Sequence, residues 1–234
     1  MEKPGLHTSL QDEGRLGYQA LGVPVGGAMD RVAYAMANWL VGNPPGSPTL
    51  EITLLGPELV FDTACCVALT GADLSPSADG KPIEMNCSIQ LQAGTRLKFG
   101  RPLNGCRSYL AIGGEWQVER WLGSCTGCAG VEVVLPQAIL AKNMSIQVDL
   151  HAGMGRSIPD QLSGLWNEPR SIRLLPGPEM NHLDAAQWQA FCTASWKVDK
   201  DSNRMGFRLG PALSCLAYQS SLLSSGVLPG TVQI

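Results

Sequence analysis

Apolar residues are spaced differently in successive parts of the chain. Residues 1–29 carry Gly5, Gly14, Gly17, Gly22, Gly26 and Gly27 and show no period. This predicts an irregular opening, and a long irregular opening in a compact domain tends to be functional. Asp30 then precedes Val32, Met36, Trp39 and Leu40 at spacing i, i+4, i+7, i+8. That spacing predicts a helix with one apolar face, capped by the Asp30 carboxylate and stopped by Gly42, Asn43 and Pro44. Residues 50–55, 58–61, 67–70, 88–91, 96–99 and 108–112 read as short strands separated by Gly-Pro, Asp-Gly, Ala-Gly and Asn-Gly steps. Strands at such short intervals point to an all-β barrel or sandwich.

Residues 151–169, closing near Asn167, Glu168 and Pro169, read as a connector. Beyond it the pattern predicts a strand at 171–175 and a helix at 183–192 with Trp188, Phe191 and Cys192 on one side. Strands at 196–198 and 207–209 would flank a polar turn at 199–205. The expected organisation is an N-terminal β subdomain over 1–160 and a second β subdomain over 161–234. Residues 226–234 look like a turn feeding a strand, which predicts that the second subdomain is incomplete where the chain stops.

Composition narrows the function classes. Charged residues are 16% of the 234 positions, against roughly 25% in an ordinary soluble domain. A shortage of obligatorily solvated surface suggests that a partner covers some of it. The net charge is −3 and no Lys/Arg cluster stands out, which argues against a nucleic-acid surface. No apolar run reaches the roughly 20 residues of a membrane helix, and the first residues lack the apolar core of a signal peptide. The default compartment is the cytoplasm. There the eight cysteines are expected as thiols, mostly buried. Cys125 and Cys128 form a C-x-x-C pair with no second pair at zinc spacing, so no metal is expected. The phosphate-binding, dinucleotide and serine-hydrolase signatures are missing, and His7, His151 and His182 are scattered.

Four stretches could carry chemistry. In 8–17, Gln11, Asp12 and Arg15 lie between glycines. Arg15 either grips an external carboxylate or phosphate or is satisfied by Asp12 within a turn. In 23–30, Gly26 and Gly27 allow close backbone approach, and the amides before the helix could face an anion, unless Asp30 only caps. In 69–73, Asp73 ends an apolar strand as a binding group or an Asx turn. In 201–208, Asn203 and Arg204 form either an oxyanion clamp or a solvated hairpin loop. Glu51, inside an apolar strand, is buried with a partner or turned to solvent.

Residues 5–30, reading GLHTSLQDEGRLGYQALGVPVGGAMD, resemble the opening of the biotin-dependent carboxyltransferase family. Its members include the KipA-like (C-type) component of ATP-hydrolysing 5-oxoprolinase and allophanate hydrolase subunit 2. Matches at 40–43, 50–57, 69–73, 105–111, 122–124, 175–179, 202–206 and 228–233 extend the likeness in order along the chain. The run at 125–134 departs from the family pattern. The resemblance implies a mainly β, cyclophilin-like barrel architecture. It also implies a small-molecule cyclic amide as substrate. The implied partners are a homologous, KipI-like (B-type) component and the A-type component of 5-oxoprolinase. ATP would be used by the complex, and no cofactor is expected on this chain directly. The alternatives are the acceptor half of a urea or amide carboxyltransferase fed by carboxybiotin on another chain, and a non-enzymatic KipA-like antagonist of a kinase inhibitor. In the oxoprolinase reading, Asp12, Asp30 and Asp73 suit acid–base work or orientation. Gln11, Arg15, Gly27, Glu51, Asn203 and Arg204 suit substrate binding.

Overall fold

The computed structural model describes residues 1–128, 130, 131, 133–159, 171–177, 180, 183–210, 227, 228 and 230–233. The end of the connector at 160–169, His182 and Cys215 lie outside the described residues. The chain divides into two units, Met1–Glu168 and Pro169–Ile234, where the sequence suggests a boundary at 160.

In the first unit the strands are β1 (His7–Gln11), β2 (Thr49–Thr53), β3 (Leu59–Val60), β4 (Cys65–Asp73), β5 (Ser77–Ala78), β6 (Lys81–Pro82), β7 (Ser88–Leu91), β8 (Arg96–Lys98), β9 (Asn104–Ile112), β10 (Gly114–Gln117) and β11 (Gln147–Leu150), with helix α1 (Arg31–Val41) between β1 and β2. A five-stranded antiparallel sheet has the order β1-β2-β9-β4-β7, and a four-stranded sheet the order β3-β8-β5-β6. The predicted strands are present, but β1 corrects the expectation of an irregular opening. Its five residues pair in register with β2, Leu10 against Leu50 and Ser9 against Glu51.

Alternation gives the five-stranded sheet two different faces. Leu10, Leu50, Leu110 and Leu69 lie opposite one another across four strands. With Ile52, Val67, Leu59 and Leu97 they fill the main core, to which both sheets contribute. The other face carries the row Ser9, Glu51, Tyr109 and Thr70, all of them buried. Helix α1 covers Tyr109 and Thr70 of this row.

The helix approaches through small residues. Ala33, Ala37, Tyr34, Leu40 and Val41 pack with Ala68, Tyr109 and Ala111, and Thr70 Oγ1 donates to the Ala33 carbonyl at 2.7 Å. The predicted apolar face is therefore out of phase. Val32 is 53% and Trp39 50% exposed, while Leu40 is fully buried. Alanines score low as a hydrophobic signal, yet they let the helix lie close to the sheet.

The second unit contains helix α2 (Ala185–Thr193), begun by a capping box between Asp184 and Gln187. Trp188 stacks on Phe191, which meets Trp196 at a tilt of 49°. Strands β12 (Lys197–Val198) and β13 (Leu209–Gly210) pair antiparallel. Residues 171–175 form no strand and are exposed, contrary to expectation. Among the described residues of 226–234 there is a turn, with Thr231 N–H donating to Leu228 O, and no strand.

Candidate functional site

The polar face of the sheet does two jobs for the opening loop, and the first centres on Glu51. Its Oε2 accepts from the Met29 amide at 3.0 Å and from the Tyr109 hydroxyl at 2.8 Å. Tyr109 in turn accepts the Asp30 amide at 2.7 Å. Arg107 Nε lies 3.3 Å from Glu51 Oε1. Of the amides before α1, that of Met29 faces the chain's own Glu51 carboxylate, while that of Asp30 meets the Tyr109 hydroxyl. Burial, then the negative charge of Glu51, pushes the Tyr109 hydroxyl well above its ordinary value. Tyr109 therefore stays protonated and keeps donating to the carboxylate.

The second network ties the end of β1 to residues 120–128. Asp12 accepts from Ser124 Oγ at 2.6 Å, Thr126 Oγ1 at 2.8 Å, the Cys125 amide at 2.8 Å and the Gly14 amide at 2.9 Å. Arg120 lies 3.2 Å away. Burial alone would raise the Asp12 carboxyl, but these hydrogen bonds together outweigh it and hold the group below the usual carboxylate range. Burial and the nearby Asp12 charge push the Cys125 thiol far up, so it stays neutral. Arg15 is fully buried. It donates to the carbonyls of Thr126 at 2.6 Å, Trp121 at 3.2 Å and Ser124 at 3.4 Å, and stacks over Trp121. Gln11 Nε2 donates to Gly127 O and Ser9 Oγ, both at 2.8 Å.

Between these anchors the chain makes a closed excursion. Its ends are joined where Arg15 N–H donates to Val25 O at 2.7 Å and Ala28 N–H to Asp12 O at 3.0 Å. Gly14 and Gly27 make this root close-packed. Both have positive φ, and a Cβ would sit 2.6 Å from Val25 O at Gly14 and 2.9 Å from Glu13 O at Gly27. The tip, with a turn at Gln19–Leu21, bonds to itself. Leu16 and Leu21 are 65% and 78% exposed.

Residues 21–234 match the family described as carboxyltransferase domain, subdomain A and B. The chain belongs to this family. It is 36% identical to the C subunit of 5-oxoprolinase from Escherichia coli strain K12, over 99% of this chain and 74% of that protein. It is 43% identical to a urea amidolyase of Lachancea kluyveri, over 89% of this chain but 12% of that much longer protein. The crystal structure of K. lactis urea amidolyase superimposes with TM-score 0.74 at 32% identity, covering 90% of this chain and 14% of that one. The mainly β, antiparallel architecture is thus that of a carboxyltransferase domain.

Within this carboxyltransferase domain the structure brings Gln11, Asp12, Arg15 and Gly27 together at the loop root, and joins Glu51 to Asp30 through Tyr109. Their contacts are with the chain itself. Arg15 donates to three backbone carbonyls and to Cys128 Sγ, Gly27 is buried against Glu13, and Glu51 is an internal anchor. Asp73 stands apart in an Asx turn, accepting from Ser75 N–H at 2.8 Å. Asn203 Oδ1 accepts from Met205 N–H in the exposed turn of the second unit, where Arg204 is half-buried.

Tyr109, Arg107, Arg120, Ser124 and Thr126 escaped the sequence reading. Tyr109 alone had a signal, since it falls opposite Glu51 once the two strands are paired. Asp30 caps α1, its Oδ1 accepting from Val32 N–H at 3.1 Å and Ala33 N–H at 2.9 Å. Replacing Asp30 by alanine is expected to cost about 1 kcal/mol in denaturant unfolding.

Proposed function

We propose that this chain acts as the C-type component of an ATP-dependent 5-oxoprolinase. With a homologous, KipI-like component and the A-type component, it would help water open the ring amide of 5-oxoproline to glutamate. The observation that carries this reading is the 36% identity to the Escherichia coli protein over 99% of this chain. The geometry supports a partner-dependent role. Asp12 and Asp30 are committed to hydroxyls and amides of their own chain. What this chain supplies is a fixed wall of backbone and loop, and the proton transfers fall to groups brought by the partners. ATP is consumed by the complex and needs no site on this chain.

A second reading rests on the 43% identity to the Lachancea kluyveri urea amidolyase. There the chain would be the acceptor half of a urea or amide carboxyltransferase, with the carboxyl group arriving on biotin from another chain. The test is reconstitution with the A-type and KipI-like components of the same organism. ATP-dependent glutamate release is expected from 5-oxoproline with all components present and not from this chain alone. Absence of glutamate from the full set overturns the reading. Urea carboxylation with a biotinylated carrier, in place of glutamate release, establishes the second.

A further inference from the structure

The connector begins as a strap. Residues 151–156 have no regular structure of their own and are mostly exposed, yet they are fastened along their length. His151 Nε2 meets Asn43 Oδ1 at 3.0 Å. Met154 lies against Gly42, where a Cβ would sit 2.7 Å from its Sδ. Arg156 donates to Trp39 O at 2.6 Å, and its guanidinium lies 4.8 Å over the Trp39 ring. A cation there suits the negative end of α1. Ser88 N–H donates to Arg156 O at 2.8 Å and Ile158 N–H to Asn86 O at 2.9 Å. The strap thus lines the β7 edge before Ile158 enters the core between α1 and the sheet.

The His151 ring is the unusual fastening, because both of its nitrogens face acceptors. Asn43 cannot turn its amide over. Its Nδ2 donates to Asn38 Oδ1 at 2.9 Å and to Ile112 O at 3.0 Å, and its Oδ1 accepts from Gly114 N–H at 3.0 Å. Oδ1 therefore faces His151 as an acceptor, and Nε2 must carry a proton to bond it. Nδ1 faces the Ala152 carbonyl at 3.1 Å. In a neutral ring with its proton on Nε2, Nδ1 presents a lone pair to that oxygen. Only the doubly protonated ring donates to both. Among the described residues no carboxylate is paired with the ring, and Gly42 and Gly113 flank its Cε1. The titratable groups of the surrounding elements are engaged elsewhere or exposed. Tyr34 of α1 donates to Ser47 O, Asp149 of β11 accepts from Gln117, and Arg156 reaches Trp39. Arg31 stands at the far end of α1, and Glu115 of β10 is exposed.

We propose that residues 151–158 are a releasable strap over the C-terminal end of α1 and the β7 edge, with the His151 ring as its proton-operated clasp. The doubly protonated ring fastens the strap, and loss of the Nδ1 proton loosens it. Histidine is the side chain whose ordinary titration falls in the physiological range. The fastening is strongest in mild acid and weakens as the pH rises through that range, since the closed strap holds the proton that the open one releases. Release frees the Ser88 amide at the sheet edge. It also lengthens the tether of the second unit by eight residues, roughly 25 Å of extended chain. The device does not depend on the oxoprolinase reading.

The test is amide hydrogen exchange of the full chain at about pH 5.5 and about pH 8, corrected for the intrinsic rate at each pH. Wild type is compared with His151→Gln, which keeps a donor and cannot titrate. Protection of the Ser88 and Ile158 amides is expected to fall about 5-fold between the two conditions in wild type, the effect of one net hydrogen bond. It should not change in His151→Gln, and the Leu69 and Leu110 amides of the core should stay level in both proteins. Equal protection of Ser88 and Ile158 at the two pH values in wild type overturns the clasp, as does the same fall in His151→Gln. Nitrogen NMR of the ring reads the claim without a variant. Both ring nitrogens should be protonated at about pH 5.5, and a singly protonated ring there with Ser88 and Ile158 still protected overturns it.

Discussion

Replacing Glu51 by alanine is expected to destabilise the first unit by about 3–5 kcal/mol, the usual cost of removing one partner from a buried charge network. Glu51 is fully buried. The change would strand the Met29 amide and the Tyr109 hydroxyl, and would leave Arg107 facing an uncharged cavity. Because Tyr109 also holds the Asp30 amide, the loss should reach the start of α1. Glu51→Gln keeps an acceptor and should cost less. Urea unfolding followed by tryptophan fluorescence measures both. A cost below about 1 kcal/mol for alanine, the scale of a surface change, would show that Glu51 does not hold the loop.

Asp12→Asn is expected to cost about 3 kcal/mol near neutral pH, because hydrogen bonds to a charged acceptor are lost or weakened at several donors at once. The loss should depend on pH. The Asp12 carboxyl is held below its ordinary value of 3.8, so its contribution is fully present above that value. It fades as the pH falls through the lower folded value. The gap between wild type and Asp12→Asn should therefore be constant from about pH 7 to pH 5 and narrow below about pH 4. A gap that stays constant into acid would mean that the charge on Asp12 is not what binds residues 120–128.

Much of the fold is legible from local patterns. The strand 88–91 is found as read, and Asp30 and Gly42 bound the first helix as their chemistry suggests. The failures have physical causes. β1 is short and surrounded by glycines, so its pairing with β2 had no local signal. Val32 and Trp39 of α1 lie on its outer side because Ala33 and Ala37 occupy the positions against the sheet, beside Tyr34, Leu40 and Val41. The site was less legible than the fold. Arg15 meets carbonyls more than 100 residues away, and only the folded backbone reveals that these acceptors exist. A guanidinium between glycines invites an external anion in sequence terms, yet here it anchors a loop.

That anchoring joins the interior of the molecule to its surface. Glu51, Asp12 and Arg15 are buried charges that would be expensive without partners, and all three hold the ends of residues 12–30, between which Leu16 and Leu21 are exposed.

The most direct measurement is amide hydrogen exchange across residues 12–36 of the full chain, compared between wild type and Glu51→Ala. Faster exchange at Met29, Asp30 and the first turns of α1 in Glu51→Ala is the predicted result, because Glu51 holds the Met29 amide directly and the Asp30 amide through Tyr109. Equal exchange there in the two proteins would contradict the account.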